Sequence, residues 1–129
     1  MINNKSVKTS DIILITNKNS FSNFKTDEFF LEDVFIEDDI LKIKVSYNGG
    51  CKHHEFSLIA KKDFQNITNL HEINLQLFHN ANKDNCKKIV TEELFFNILP
   101  LKTKLQKENI DRKDINLVLI INNITINYN

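Results

Sequence analysis

Ile40-Leu41-Lys42-Ile43-Lys44-Val45-Ser46-Tyr47 is the stretch whose reading decides the fold class. Leu41, Ile43, Val45 and Tyr47 alternate with Lys42, Lys44 and Ser46. A period of two sends neighbouring side chains to opposite faces of an extended chain. With β-branched and aromatic residues on the apolar side, the pattern predicts a strand with one face on a core and the other in water. Upstream, Val34-Phe35-Ile36 runs into Glu37-Asp38-Asp39, a strand and a tight acidic turn that fold back on it as a hairpin. Downstream, Asn48-Gly49-Gly50 marks a turn, because Gly and Asn reach positive φ at little cost.

The same reading extends in both directions. Residues 12–17, 54–61, 73–79, 86–98, 116–121 and 124–128 are expected as further strands. In these, Phe56 and Leu58 share a face, as do Ile73, Leu75, Leu77 and His79, and Leu94, Phe96 and Ile98. Residues 80–85 read as a loop and Asn122-Asn123 as a turn. Pro100 stops the long strand, and 101–108 form a short helix or turn with Leu101 and Leu105 spaced to touch the core. Seven or eight strands with one weak helix predict an all-β chain, a single antiparallel β-sandwich or a barrel-like version of it. Neither an internal repeat nor a Gly/Ser/Pro-rich linker divides the sequence, so one domain is expected over 1–129, with 1–10 a flexible or edge segment.

A length of 129 residues suits that single domain. Seventeen Lys+Arg cancel seventeen Asp+Glu, which argues against a strong global pull toward nucleic acid or anionic membrane. The hydrophobic content of 41% is too high for a disordered chain. No apolar run reaches the roughly 18 residues of a membrane span. The polar opening from Met1 to Ser10, and Asp11 before a short apolar run, lack the pattern of a secretory leader. The chain is therefore expected to be soluble and cytoplasmic. Of ten phenylalanines most belong in the core, but the adjacent pairs Phe29-Phe30 and Phe95-Phe96 must each turn one ring outward.

One cluster carries chemistry. Cys51 and His54 flank one loop, and His79 and Cys86 flank another. If the strands around these loops form a simple antiparallel meander, both loops lie at the same end. His54 shares parity with Phe56 and Leu58, His79 with Leu75 and Leu77, and Cys86 with Leu94 and Phe96, so all three lean toward the core. Three readings follow. Cys51, His54, His79 and Cys86 supply the two thiolates and two imidazoles of a tetrahedral zinc site, with Asp84 and Glu55 as acceptors that fix the imidazole tautomers. Alternatively, Cys51 and Cys86 form a disulfide, which a cytoplasmic location disfavours. In the third, both thiols are free and buried and both histidines are hydrogen-bonded. A Cys/His nucleophile would need an oxyanion hole and a cleft that the sequence does not display. Nor does it carry a Ser-centred elbow, a phosphate-cradling Gly loop or a paired-carboxylate motif. His53 and His71 are read as exposed polar positions.

Gly49-Gly50-Cys51-x-x-His54-x-Phe56-x-Leu58, His79-x-Ala81-x-x-Asp84-x-Cys86 and Thr91-Glu92-x-Leu94-x-Phe96 resemble a group of small bacterial β-rich proteins, some exported, with no assigned activity. The resemblance covers roughly residues 34–101. It implies that Cys51, His54, His79, Asp84 and Cys86 form one unit, and it implies no reaction. The chain departs from the exported members in its polar N-terminal stretch.

The expected function is that of a noncatalytic binding or interaction domain with the Cys/His cluster at one end. Its partner would be a protein or small ligand, with neither nucleic acid nor membrane involved, and edge strands could pair two copies. The alternative is a zinc-dependent enzyme or a structural zinc protein. Three protein ligands plus water would mark the former and four the latter. A toxin, immunity or phage context is a third setting for such a domain.

Overall fold

Alternation and turn chemistry set where the strands begin and end. The structure is a computed structural model that describes residues 9–15, 20–61, 65–67, 70–108 and 116–128, the side chains of 23, 65–67, 70, 105, 106, 108 and 116 excepted. Ten strands are present among these residues. They are β1 (Ser10–Asp11), β2 (Ile13–Ile15), β3 (Phe30–Glu37), β4 (Ile40–Gly49) and β5 (Glu55–Lys61), then β6 (Gln65–Ile67), β7 (Leu70–Asn80), β8 (Lys88–Asn97), β9 (Asn116–Ile121) and β10 (Ile124–Tyr128). A 3-10 turn covers Phe21–Asn23, and one helix, α1, spans Leu99–Glu108. The expectations for residues 1–8, for Thr16 and Asn17, and for the Leu105 side chain lie outside the described residues.

The predicted hairpin is β3–β4, in antiparallel register from Glu37↔Ile40 to Phe30↔Ser46 with an irregularity between Leu31 and Asp33. Asp38 turns it at φ 56°. Asn122 (φ 46°) and Asn123 (φ 72°) turn the β9–β10 hairpin, both left-handed as a two-residue primed turn demands. Pro100 lies in the first turn of α1, where a missing N–H costs nothing. The Leu99 N–H there donates to Asn97 Oδ1 at 3.1 Å.

The strands form two open sheets. The first has the order β1-β8-β4-β3, and the second β10-β9-β7-β5-β2 with β6 beside β7. The inner face of the first contributes Leu41, Ile43, Val45, Tyr47 and Phe96. That of the second contributes Leu58, Ile73, Leu75, Leu77, Leu117, Leu119 and Ile121, and all join one core that α1 closes with Leu101. The sandwich is thus observed, but not the purely antiparallel pairing. The β1–β8, β2–β5 and β7–β9 pairs are parallel. Period-two alternation reports which face is buried and is silent on partner direction. Parallel neighbours arise here because the chain leaves one sheet, runs in the other and returns. On the outer face of the second sheet, Ile15, Ile59 and Phe78 form a smaller cluster capped by Phe21.

Candidate binding site at the disulfide-bonded end

Both loops expected to carry the chemistry cross between the sheets. The chain passes from β4 to β5 through residues 50–54, and from β7 back to β8 through 81–87. Pairing of Gly49 with Lys88 in one sheet, and of Glu55 with Asn80 in the other, sets the two crossings side by side. The loops therefore share an end, but through a double crossover rather than the four-strand meander. β4 pairs with β8 in one sheet and β5 with β7 in the other, so the β4–β5 and β7–β8 connections span the core.

Local sequence explains the tight approach. A Cβ on Gly49 would lie 2.6 Å from His54 Nε2 and 3.1 Å from Asp84 Oδ2, so only glycine lets the imidazole in. Gly50 takes φ 102°, the conformation glycine tolerates best. Cys51 then bonds Cys86 across the crossing, with Cα atoms 5.9 Å apart. Beneath the disulfide the Asp84 carboxylate performs the same linkage without a covalent bond. Its Oδ2 accepts from Cys51 N–H (3.1 Å), Lys52 N–H (3.0 Å) and His54 Nε2 (2.8 Å), and its Oδ1 from Cys86 N–H (3.0 Å). The His54 bond, then these backbone donors, hold its pKa well below the usual carboxylate range.

Hydrogen counting fixes the donor and acceptor roles at His79. The Glu28 carbonyl can only accept, so His79 Nδ1 donates to it at 3.0 Å. Burial, foremost, lowers the His79 pKa, which leaves a neutral ring whose Nε2 is an acceptor. His54 Nδ1 donates to that atom at 2.7 Å. His54 Nε2 lies 2.8 Å from Asp84 Oδ2, so the His54 ring bridges His79 to the carboxylate. The rings lie in a stack: Tyr47 to His54 at 4.3 Å, His54 to His79 at 4.9 Å and His79 to Phe56 at 4.4 Å between centroids. Tyr47 donates its hydroxyl to Glu92 at 2.8 Å; burial, then that carboxylate, push its pKa up to about 12.

The structure brings Cys51, His54, His79, Asp84 and Cys86 together. In this state the two sulfurs are bonded to each other, and all four imidazole nitrogens take part in hydrogen bonds. The Cys51, Asp84 and Cys86 ligand atoms lie within 4.8 Å of one another. Glu55 is exposed on β5 and does not join the group. His53 is exposed as expected, and its carbonyl accepts from the Asn82 amide. His71 is a correction: it is 2% exposed, because it occupies the inward row of β7 with Ile73, Leu75, Leu77 and His79. Neither His71 ring nitrogen has a hydrogen-bond partner among the described residues.

Beside the histidines opens a cleft of about 700 Å³ between segment 25–30 and loop 80–85, with Tyr47 and Asn48 between them. Sequence reasoning missed its other wall. Thr26 Oγ1 accepts from His79 N–H at 2.9 Å, Asp27 N–H donates to His79 O at 2.8 Å, and Asp27 Oδ2 accepts from Ala81 N–H at 2.7 Å. The only available signal was the polar run Lys25-Thr26-Asp27-Glu28 before a strand, and that pattern is common in solvent-facing turns. Asn82 (φ 52°) and Lys83 (φ 59°) form the tip of the opposite wall, both left-handed.

No protein-family model matches the chain, and no curated protein sequence does. Solved structures do share the fold. The protein of unknown function DUF1344 from Bacteroides vulgatus ATCC 8482 is 17% identical, with a TM-score of 0.53 over 95% of this chain and 56% of that one. The NigD-like immunity protein from Bacteroides caccae ATCC 43185 is 14% identical, with a TM-score of 0.60 over 94% of this chain and 60% of that one. At such identities the likeness is one of fold. The chain spans less than two thirds of either protein's length. Among the described residues, no helix is long and apolar enough to cross a membrane.

Proposed function

We propose that the chain is a noncatalytic binding domain whose recognition surface is the cleft at the disulfide-bonded end. One observation carries the reading: both walls are held in place by the protein's own bonds, while the chemical side chains beside them are already engaged. His54 and His79 spend all four nitrogens on Asp84, Glu28 and each other. Such a pair orders a cleft rather than shuttling a proton to a substrate, and a wall ordered in advance reduces the entropy cost of binding. The disulfide favours an oxidising compartment over the cytoplasmic location expected from the sequence. The test is an NMR screen of the ¹⁵N-labelled chain against a small-molecule fragment library, run beside a broad hydrolase panel. Shifts confined to 25–30, 47–48 and 79–85 support the reading. Turnover that is abolished by His54→Ala overturns it.

Zinc is the second reading, favoured by the Cys51, Asp84 and Cys86 ligand atoms lying within 4.8 Å. Reduction by a dithiol would free two thiolates beside the Asp84 carboxylate, three ligands for an ion whose fourth position is open to water. Native mass spectrometry of the reduced chain with added zinc decides it: one tightly retained ion supports the site, and none removes it.

A further inference from the structure

The cleft has a composition that selects one class of ligand. Its lysines and free carboxylates balance: Lys25 and Lys83 face Asp27 and Glu28, and Asp84 is bonded to His54 and backbone N–H groups. A polyanion or polycation would find no complementary field there. Uncharged amides are instead abundant, with Asn48, Asn80, Asn82 and Asn85 all exposed along the cleft. Each amide presents both donors and an acceptor, the pairing set that a hydroxyl satisfies in either direction. Asn80 Oδ1 and Asn82 Nδ2 are used to shape the loop, through Asn82 N–H at 3.0 Å and the His53 carbonyl, which orients the remaining Asn80 Nδ2 and Asn82 Oδ1. At the mouth stands Phe30, 62% exposed, an apolar ring that the core does not use. Phe29 beside it is turned inward against Phe56 and His79, edge-on to both.

A cleft of balanced charge with an exposed aromatic ring and a row of planar amides complements a molecule with an apolar C–H face and many hydroxyls. We propose that the cleft binds a neutral oligosaccharide, one sugar ring stacked on Phe30 and its hydroxyls paired with the asparagine amides. The proposal rests on the cleft being the recognition surface. The volume of about 700 Å³ lies within the range of pre-formed small-ligand sites.

The experiment titrates the ¹⁵N-labelled chain with cellohexaose, maltohexaose, mannohexaose and chitohexaose, each to about 10 mM, a range that captures millimolar dissociation constants. N-acetylated, amidated tripeptides are titrated in parallel. The expected result is saturable shifts of the amides at 27–30, 48 and 80–85 with at least one saccharide. Phe30→Ala then weakens that binding by about tenfold, in line with the loss of one ring contact. Because Phe30 is exposed, the melting temperature stays unchanged. Shifts at these amides from a tripeptide but from no saccharide overturn the saccharide assignment and leave the cleft standing. Silence from both sets overturns the cleft reading as well.

Discussion

Asp84 accepts four hydrogen bonds from two loops that are distant in sequence, and its side chain is fully covered. Because its pKa is depressed in the fold, the stability it contributes is fully present above the unfolded carboxylate value of about 3.9. That contribution is lost as pH falls through this value toward the folded one. Asp84→Asn is therefore expected to lower the melting temperature at neutral pH and to flatten the acid limb of a stability-versus-pH curve. Gly49→Ala pushes a methyl group into the His54 ring and is expected to cost about 1–3 kcal/mol in urea unfolding, the range of overpacked sites. His71→Leu should instead stabilise by about 1 kcal/mol, since it removes a buried imidazole whose nitrogens bond to none of the described residues. Thermal melts of the variant beside the parent check the sign. Parity placed His54, His79 and Cys86 on the core side of one end with Cys51 in the turn above, whereas Asp84 was legible only as an acceptor for the imidazoles and through the resemblance. The burial of His71 follows from its parity with Ile73 and Leu75, a pattern that its polar side chain masks in the sequence. The need for Gly49 was not legible, since it depends on a ring that arrives from the next strand.

At the scale of elements, two crossings decide the geometry: 50–54 and 81–87 carry the chain between sheets, and the Cys51–Cys86 bond joins them over a separation of 35 residues. Closing a loop of that size removes chain entropy worth about 4 kcal/mol from the unfolded state. Cys51→Ser/Cys86→Ser should lose close to that amount in denaturant titrations. The folded end should nevertheless survive, because the Asp84 bonds span the same gap; retention of the His54 and His79 ring signals in NMR would report it. Strands β3, β4, β5, β7, β8, β9 and β10 were each readable from alternation or from an apolar run between turns. Their directions were not, because β7–β9 pairing depends on where the chain goes between residues 80 and 116. The strand expected at 12–17 is present as β2, Ile13–Ile15, whereas the two- and three-residue strands β1 and β6 are too short to display a period at all.

Over the whole molecule, the sheets are interleaved along the chain. The first takes residues 10–11, 30–49 and 88–97, and the second takes 13–15, 55–61, 65–67, 70–80, 116–121 and 124–128. Neither sheet is a contiguous piece of sequence, and the last strands supply Leu117, Leu119, Ile121 and Tyr128 to the shared core. Tyr128 also reaches back to Asp39 with a 2.6 Å hydrogen bond, tying the final strand to the β3–β4 turn. This interleaving has a consequence for vectorial synthesis. By residue 97 every strand of the first sheet has been made, yet the surface its inner face needs is still missing two strands. A nascent chain arrested at residue 108 would leave the inner face of Leu41, Ile43, Val45 and Phe96 only partly covered, and should bind a hydrophobic dye and melt without a sharp transition. Residues 116–128 convert that sticky surface into an interior, so the sandwich cannot shield its own core until β9 and β10 have left the ribosome.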